Sequence, residues 1–175
     1  MIEIKSARLI IRETEARDLN NIEKLWNEPE VMKWVGFPNG LQITQASLKV
    51  WLERLKSHQN QKHFVVFDKH SNFCGELFYD LEPDNRAGLD IKFLPEFQGQ
   101  GLATEALLCL INYIFEYIKE VTCVWTEPSQ SNIAAMRLYD RCGLKDTGII
   151  AEGNESGTYW ELSRTKWNEC YAKYK

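Results

Sequence analysis

One stretch decides the fold: Leu94-Pro95-Glu96-Phe97-Gln98-Gly99-Gln100-Gly101-Leu102-Ala103-Thr104-Glu105-Ala106. The residues just before its glycines, 87–94, carry Leu, Ile and Phe in loose alternation with other residues, which predicts a β-strand. After the glycines, apolar residues recur at i, i+3 and i+4 spacing, which predicts one buried face of a long helix. They are Ala103, Ala106, Leu107, Leu110, Ile111, Ile114, Phe115 and Ile118. The stretch is therefore predicted to be a glycine-rich connection from a strand into a helix.

Such a connection is suited to bind an anion. Glycine lets the backbone turn tightly and approach a ligand closely, and the N–H groups at a helix start favour phosphate. A dinucleotide fingerprint would need a third glycine near Thr104, and a phosphate loop of nucleotide hydrolases would need Gly-Lys-Ser/Thr; both are missing here. A tight turn that binds nothing is the remaining alternative.

The connection resembles the pyrophosphate loop of the GCN5-related N-acetyltransferases (GNAT), whose pattern is Gln/Arg-x-x-Gly-x-Gly/Ala. Here it reads Gln98-x-x-Gly101-x-Ala103. A second motif over 132–144, Asn-x-x-Ala-x-x-Leu-Tyr-x-Arg-x-Gly-Leu, is also similar to the family. With Arg-Leu-Ile-Ile-Arg at 8–12 and Glu-Pro-Glu-Val-Met at 28–32, it resembles the subgroup that includes ribosomal-protein N-terminal acetyltransferases. The resemblance covers about 8–167.

The predicted order of elements is strand, two helices, three strands, helix, strand, helix and two strands. This order favours an α/β protein with one mixed sheet and helices on both of its faces. The resemblance implies the acetyltransferase fold, whose central sheet is mostly antiparallel. We expect a single domain over 1–175, with its core at about 8–167.

Composition excludes several classes of protein. A net charge of −4 argues against a nucleic-acid binder and is compatible with a cationic substrate. The five cysteines are widely spaced and the three histidines form no ligand-spaced pair, so we expect no metal site and no disulfide framework. No apolar run approaches a membrane span. We expect a cytoplasmic protein without a membrane partner, as a monomer or homodimer.

The resemblance implies acetyl-CoA as the cofactor and coenzyme A as a product. Backbone groups of the glycine loop would hold the pyrophosphate, and the preceding strand end, Phe93 and Leu94, would bind the pantetheine arm and polarise the thioester. Asn132 would hydrogen-bond the pantetheine, although capping a helix is an alternative role. The loop residues in question are Gln98, Gly99, Gln100, Gly101, Leu102, Ala103 and Thr104.

The resemblance also points to Tyr139 as the acid that protonates the departing thiolate; its alternative role is packing on an amphipathic helix. Many relatives carry a glutamate base at a position that is Gly88 here, which is a departure. Asp90, two residues on, faces the same side of the strand and is our first choice of base, followed by Glu76. Asp80 and Glu127 are rivals, and any of these carboxylates could instead be a solvated surface group.

The acceptor cleft is predicted in the first third of the chain, with the closing hairpin near 152–159. Trp34 and Phe37 are candidate substrate-binding residues, whereas Trp26 and Trp51 are predicted to lie in the core. The reading is direct attack by a primary amine on acetyl-CoA, the amine belonging to a protein N-terminus, a polyamine or an aminoglycoside-like molecule. A catalytically inactive acetyl-CoA-binding sensor or interaction module is the alternative, because of Gly88. The glycine pattern disfavours a third option, a nucleotide-binding oxidoreductase.

Overall fold

The computed structural model of the chain describes residues 2–151 and 154–171. Short 3-10 turns over Ala16–Asp18, Lys33–Val35 and Pro95–Phe97 add to the regular elements. In chain order, the strands and α-helices of the described residues are β1 (Glu3–Lys5), β2 (Leu9–Glu13), α1 (Leu19–Trp26), α2 (Pro29–Met32), α3 (Gln45–Ser57), β3 (Gln61–Asp68), β4 (Phe73–Leu81), β5 (Arg86–Phe93), α4 (Leu102–Tyr117), β6 (Cys123–Thr126), α5 (Ile133–Arg141), β7 (Lys145–Ala151), β8 (Asn154–Ser163) and α6 (Arg164–Tyr171).

The eight strands found in the described residues form one sheet in the order β1-β2-β3-β4-β5-β6-β8-β7. Neighbouring strands pair antiparallel except β5 and β6, which are parallel. The predicted mixed, mostly antiparallel sheet is confirmed. The parallel pair is joined through α4, since parallel neighbours need a long crossover connection.

Each face of the sheet buries its own apolar cluster. On β3, Phe64 and Val66 pack with α4, whereas Val65 between them packs with α1 and α3 on the other face. This division follows from the alternation of side chains along a strand. The predicted face of α4 is buried as expected, with Leu107, Leu110, Ile111 and Ile114 fully inaccessible. Helices therefore cover both faces of the sheet.

The gap between β5 and β6 creates the main opening in the sheet. The two strands pair only over Arg86–Gly88 and Cys123–Trp125. Beyond Gly88, β5 continues to Phe93 and pairs with β4 alone, while β6 ends at Thr126 and pairs with β8. The two strands therefore splay apart before the glycine loop.

Some local details differ from the sequence prediction. The strand β1 and the helix α6 were not expected. Asp18 precedes α1 but makes no capping hydrogen bond to that helix. Its carboxylate instead binds the Arg12 guanidinium at 2.6 and 2.8 Å and accepts from the Glu15 N–H at 2.8 Å, because an ion pair is the stronger partner there. Among the residues the structure describes, no helix is long and apolar enough to cross a bilayer.

Candidate active site

A cavity of about 1120 Å³ opens at the gap between β5 and β6. Its walls come from the second half of β5, the glycine loop, the first turn of α4, the end of β6 and one side of α5. Residues Trp34, Val35 and Gly36, after α2, close it on the side of the first third of the chain. Residues of both sequence motifs and of the predicted acceptor region therefore border the same cavity.

The glycine loop has the backbone shape that an anion site needs. Gly99 and Gly101 adopt φ values of 72° and 75°, in the left-handed region that favours glycine. Gly101 directly precedes α4, and the Glu105 N–H donates to its carbonyl at 3.1 Å. The N–H groups of residues 102–104 therefore have no carbonyl of their own helix to bind, and the positive end of the helix dipole lies beside them. This arrangement can bind a pyrophosphate.

Side chains hold this loop in place. The Gln98 amide donates to the Phe93 carbonyl at 2.8 Å, and the Gln100 amide donates to the Glu96 carbonyl at 2.8 Å. From the far side, Arg8 donates to the Gln100 carbonyl at 2.9 Å and pairs with Glu105 at 2.6 Å. The two glutamines thus shape the loop with their side chains, so a ligand would meet backbone groups here.

The predicted cofactor residues divide into two groups. Those that line the cavity are Phe93, Gln98, Gly99, Gly101, Ala103, Thr104 and Asn132. Leu94 and Leu102 are instead buried in the apolar core, and Gln100 lies outside the cavity wall. Their side chains are therefore unavailable to a ligand in the cavity. Asn132 caps α5 by accepting from the Ala135 N–H at 3.1 Å, so the capping role is confirmed and any contact with the cofactor stays a prediction.

The backbone of Phe93 faces the gap. The Leu94 N–H donates to the Cys74 carbonyl on β4 at 2.9 Å. Because successive peptide groups of a strand point to opposite sides, the N–H and carbonyl of Phe93 point away from β4, toward the space that β6 leaves open. An N–H donor at this place is suited to polarise a thioester carbonyl.

Tyr139 is 5% exposed and lines the cavity from α5. Burial and the nearby charge of Asp90 raise the pKa of its phenol to about 12, against the effect of a hydrogen bond with Thr126. The phenol is therefore protonated at neutral pH. It therefore carries a proton that it can share with a group that develops negative charge in the cavity, such as a departing thiolate.

Asp90 and Lys92 lie on the same face of β5 and both line the cavity. Asp90 accepts from the Ile91 N–H at 2.8 Å and forms an ion pair with the Lys92 ammonium. The side chain of Asp90 remains 44% exposed, so an amine or a water molecule can reach it. Its position on the face of Gly88 agrees with the predicted alternation.

Glu76 has a different environment from the one that a base needs. Its carboxylate is buried and accepts from Trp26 at 2.8 and 2.9 Å, from His63 at 3.0 Å and from Lys92 at 3.2 Å. Burial alone would raise its pKa, but the charges of Lys92 and His63 and these hydrogen bonds outweigh it and lower the pKa to about 2. It does not line the cavity. The geometry therefore opposes the choice of Glu76 as a base.

Of the two predicted acceptor residues, one lines the cavity and the other does not. Trp34 lines the cavity and is 40% exposed, whereas Phe37 is exposed but lies outside the cavity wall. Trp26 and Trp51 pack edge-to-face at 4.9 Å against the apolar cluster of α1 and α3, as predicted. Residues 152 and 153 of the predicted closing hairpin lie outside the described residues.

Sequence reasoning missed several side chains of the cavity wall, namely Lys92, Trp125, Arg137 and Arg141. Lys92 follows Asp90 by two residues on a predicted strand, so alternation could have indicated it. The two arginines are four residues apart on α5 and so share one helix face, which helical spacing could have indicated. Trp125 had no such signal, because its place depends on the register between β5 and β6.

Comparisons with known proteins point to one family. The model of the acetyltransferase (GNAT) domain matches residues 8–145. An uncharacterized N-acetyltransferase of Bacillus subtilis (strain 168), YnaD, is 25% identical over 95% of this chain and 100% of its own length.

Solved structures agree on the fold. Spermidine N-acetyltransferase from Vibrio cholerae, in complex with CoA and spermine, has a TM-score of 0.80 and 22% identity over 93% of this chain and 99% of that one. The aminoglycoside acetyltransferase AAC(6')-Ib, in complex with coenzyme A, has a TM-score of 0.78 and 20% identity over 93% of this chain and 98% of that one. The predicted acetyltransferase fold of the α/β class is confirmed.

Proposed function

This chain belongs to the acetyltransferase (GNAT) family, and from that premise we propose that its acceptor is a small molecule with more than one amine. The chain is an N-acetyltransferase that moves an acetyl group from acetyl-CoA to an amine nitrogen. Our proposal concerns the acceptor and the residues that carry the reaction. One observation carries it: the glycine loop, Tyr139 and Asp90 border the same cavity as a group of carboxylates.

The charge of the cavity wall supports a cationic acceptor. The carboxylates on the wall are Asp80 and Glu82 near the end of β4, Asp90 within β5, and Glu127 just after β6. The cations on the wall are Lys92, which is paired with Asp90 and Glu76, and Arg137 and Arg141, which lie on α5. A wall of carboxylates attracts amines that carry more than one positive charge. Polyamines and aminoglycosides both meet this description, and both occur in the names of the structural neighbours above.

The positive charges on the α5 side of the cavity support a binding site for the cofactor phosphates there. We assign the α5 side of the cavity, with Arg137, Arg141 and the N-terminus of α4, to the phosphates of acetyl-CoA. The pantetheine arm would then run along the open edge of β5, where the Phe93 backbone faces the gap. The thioester would lie between Tyr139 and Asp90. Acetyl-CoA supplies the activated acetyl group; the chain's own residues orient it and move protons.

Our assignment of roles follows from this placement. Asp90 accepts a proton from the attacking amine, directly or through water, because it is the accessible carboxylate on the β5 face that borders the gap. Tyr139 donates a proton to the departing thiolate, for which its raised pKa leaves it protonated. Trp34 borders the acceptor. With these roles, the amine attacks the thioester of acetyl-CoA directly, while both substrates are bound to the chain.

A protein N-terminal amine is the second candidate acceptor, since 8–12, 28–32 and 132–144 resemble the ribosomal-protein N-terminal acetyltransferases. Two of the proteins reported above, the spermidine and the aminoglycoside acetyltransferases, carry small-molecule acceptors in their names instead. The five cysteines are free, which supports the proposal of a cytoplasmic location, where thiols are kept reduced. A monomer or a homodimer remains our prediction of its assembly.

A panel of acceptors tests the proposal. Thiol release from acetyl-CoA is measured with spermidine, kanamycin and peptides with free N-terminal amines, each at matched concentrations. We expect spermidine or kanamycin to give a higher kcat/KM than any peptide. A peptide as the preferred acceptor would overturn the small-molecule proposal. Saturable binding of acetyl-CoA without release by any amine would favour the sensor alternative.

A further inference from the structure

Trp125 fills the space above Gly88. The two residues are register partners in the parallel pair of β5 and β6. A Cβ atom at position 88 would lie 3.2 and 3.3 Å from two ring carbons of the Trp125 indole, closer than most such contacts. The indole therefore crosses from β6 onto β5 at the one residue of this face that has no side chain. The glycine at the family's usual base position is thus explained by a close approach.

The indole is held rigidly at this place. Its Nε1–H donates to the Glu82 carboxylate at 2.9 Å, and its ring packs edge-to-face against Tyr159 at 5.3 Å. The guanidinium of Arg86, which lies on β5, is 5.6 Å from the centre of the Trp125 ring. It forms an ion pair with Glu161 at 2.5 Å. Trp125 is half-buried and its remaining surface lines the cavity. An aromatic surface of fixed orientation results.

Carboxylates lie beside this aromatic surface, and the Arg86 cation near it is itself paired with Glu161. Asp80 is the register partner of Gly88 on β4, and Glu82 holds the indole nitrogen. Asp90 is two residues further along β5, about 7 Å away at the rise of an extended strand. The aromatic surface and the acidic groups beside it form one end of the cavity, and Asp90 lies between that end and the thioester side.

We propose that Trp125 is a specificity-determining residue that binds a second, non-reacting ammonium group of the acceptor; this rests on the proposed function. The reacting amine must lose its charge near Asp90, but another amine of the same molecule keeps its charge. An aromatic face attracts such a cation, most strongly in a partly desolvated site, and indole is the best of the aromatic rings for it. Asp80 and Glu82 add charge at the same end. Gly88, beneath the Trp125 ring, and Asp90 are ~7 Å apart along the strand. The acceptor is therefore a linear or cyclic molecule whose two amines are separated by about one nanometre or less.

Two acceptors that differ in the second charge test this inference. Spermidine carries further ammonium groups, and n-butylamine presents a single amine on an alkyl chain. The values of kcat and KM for both are measured for the wild type, Trp125→Leu and Trp125→Phe, with Tyr117→Leu as a control that removes an exposed ring (69% exposed) outside the cavity wall. Acetyl-CoA affinity is measured for each variant, to show that the cofactor site is intact.

We expect Trp125→Leu to lower kcat/KM for spermidine about 3- to 30-fold more than for n-butylamine, mainly through KM. Trp125→Phe keeps an aromatic face and should retain most of the preference, and Tyr117→Leu should leave it unchanged. Equal losses for both amines, or a preference that survives in Trp125→Leu, would overturn the inference while the proposed function stands. Absence of amine acetylation by the wild type would instead remove the proposed function itself.

Discussion

Replacement of Glu76 by Gln tests whether this buried carboxylate stabilises the fold or takes part in the chemistry. The Glu76 carboxylate is held by Trp26, His63 and Lys92. Its pKa is about 2 in the folded chain, against its ordinary value of 4.5. A difference of roughly 2.5 units corresponds to about 3 kcal/mol of folding stability at neutral pH.

The sign of this effect fixes its pH range. The folded pKa is lowered, so the contribution is fully present above pH 4.5 and is lost as the pH falls toward 2. We expect Glu76→Gln to lower the free energy of unfolding by about 3 kcal/mol at pH 7, because a buried ion pair loses one partner. The same substitution should flatten the fall in stability between pH 4.5 and 2, and it should leave the pH dependence of kcat unchanged.

Urea unfolding followed by tryptophan fluorescence measures this prediction, from pH 7 down to the lowest pH at which the chain stays folded. Glu53→Gln serves as a matched control, since Glu53 forms an exposed i,i+3 pair with Lys56 and should change stability little. A variant with wild-type stability and wild-type acid sensitivity would refute the reasoning. A folded Glu76→Gln enzyme that has lost its turnover would show that the carboxylate acts in the reaction after all.

Three further substitutions test the site itself. Tyr139→Phe should lower kcat about 100-fold or more with little change in acetyl-CoA affinity, because a proton donor to the thiolate is lost; an unchanged kcat would remove that role. Asp90→Asn should lower kcat/KM for the amine, because the carboxylate that accepts its proton is lost, and an undiminished rate would exclude Asp90 as the base. Gln98→Ala removes a 2.8 Å hydrogen bond to Phe93 and should raise KM for acetyl-CoA about fivefold, roughly the worth of one such bond. Equal KM values in mutant and wild type would mean that the Gln98 amide does not position the loop.

Local patterns predicted those parts of the fold that depend on neighbours in sequence. The spacing of Leu107, Leu110, Ile111 and Ile114 indicated a buried helix face because all four belong to one element. The start of α3 is likewise set by neighbours in sequence, since the Thr44 hydroxyl accepts from the Ser47 N–H. The glycine loop combined both kinds of signal, a strand period before it and a helix period after it.

Elements defined by distant partners were missed. The strand β1 is three residues long and exists through pairing with β2 at the edge of the sheet. The helix α6 has little apolar periodicity, but Trp167 anchors it to the core beside Phe115. The insertion of β8 between β6 and β7 likewise cannot be read from chain order.

The candidate site shows the same limit. Tyr139 and the loop were found from motifs, and Asp90 from alternation with Gly88. The burial of Glu76 depends on Trp26 and His63, which come from two other elements of the sequence. The contact between Gly88 and Trp125 depends on a parallel register that brings together residues 37 positions apart. Sequence patterns carry no information on such pairs.

Initial-rate kinetics with both substrates test the central claim most directly, namely that an amine attacks acetyl-CoA while both occupy the cavity between β5 and β6. Rates of thiol release are measured over a grid of acetyl-CoA and spermidine concentrations. We predict release that depends on the amine, with reciprocal plots that intersect, as a complex of all three components requires. Parallel plots, which are the mark of a covalent acetyl-enzyme, or release that ignores the amine would contradict the account.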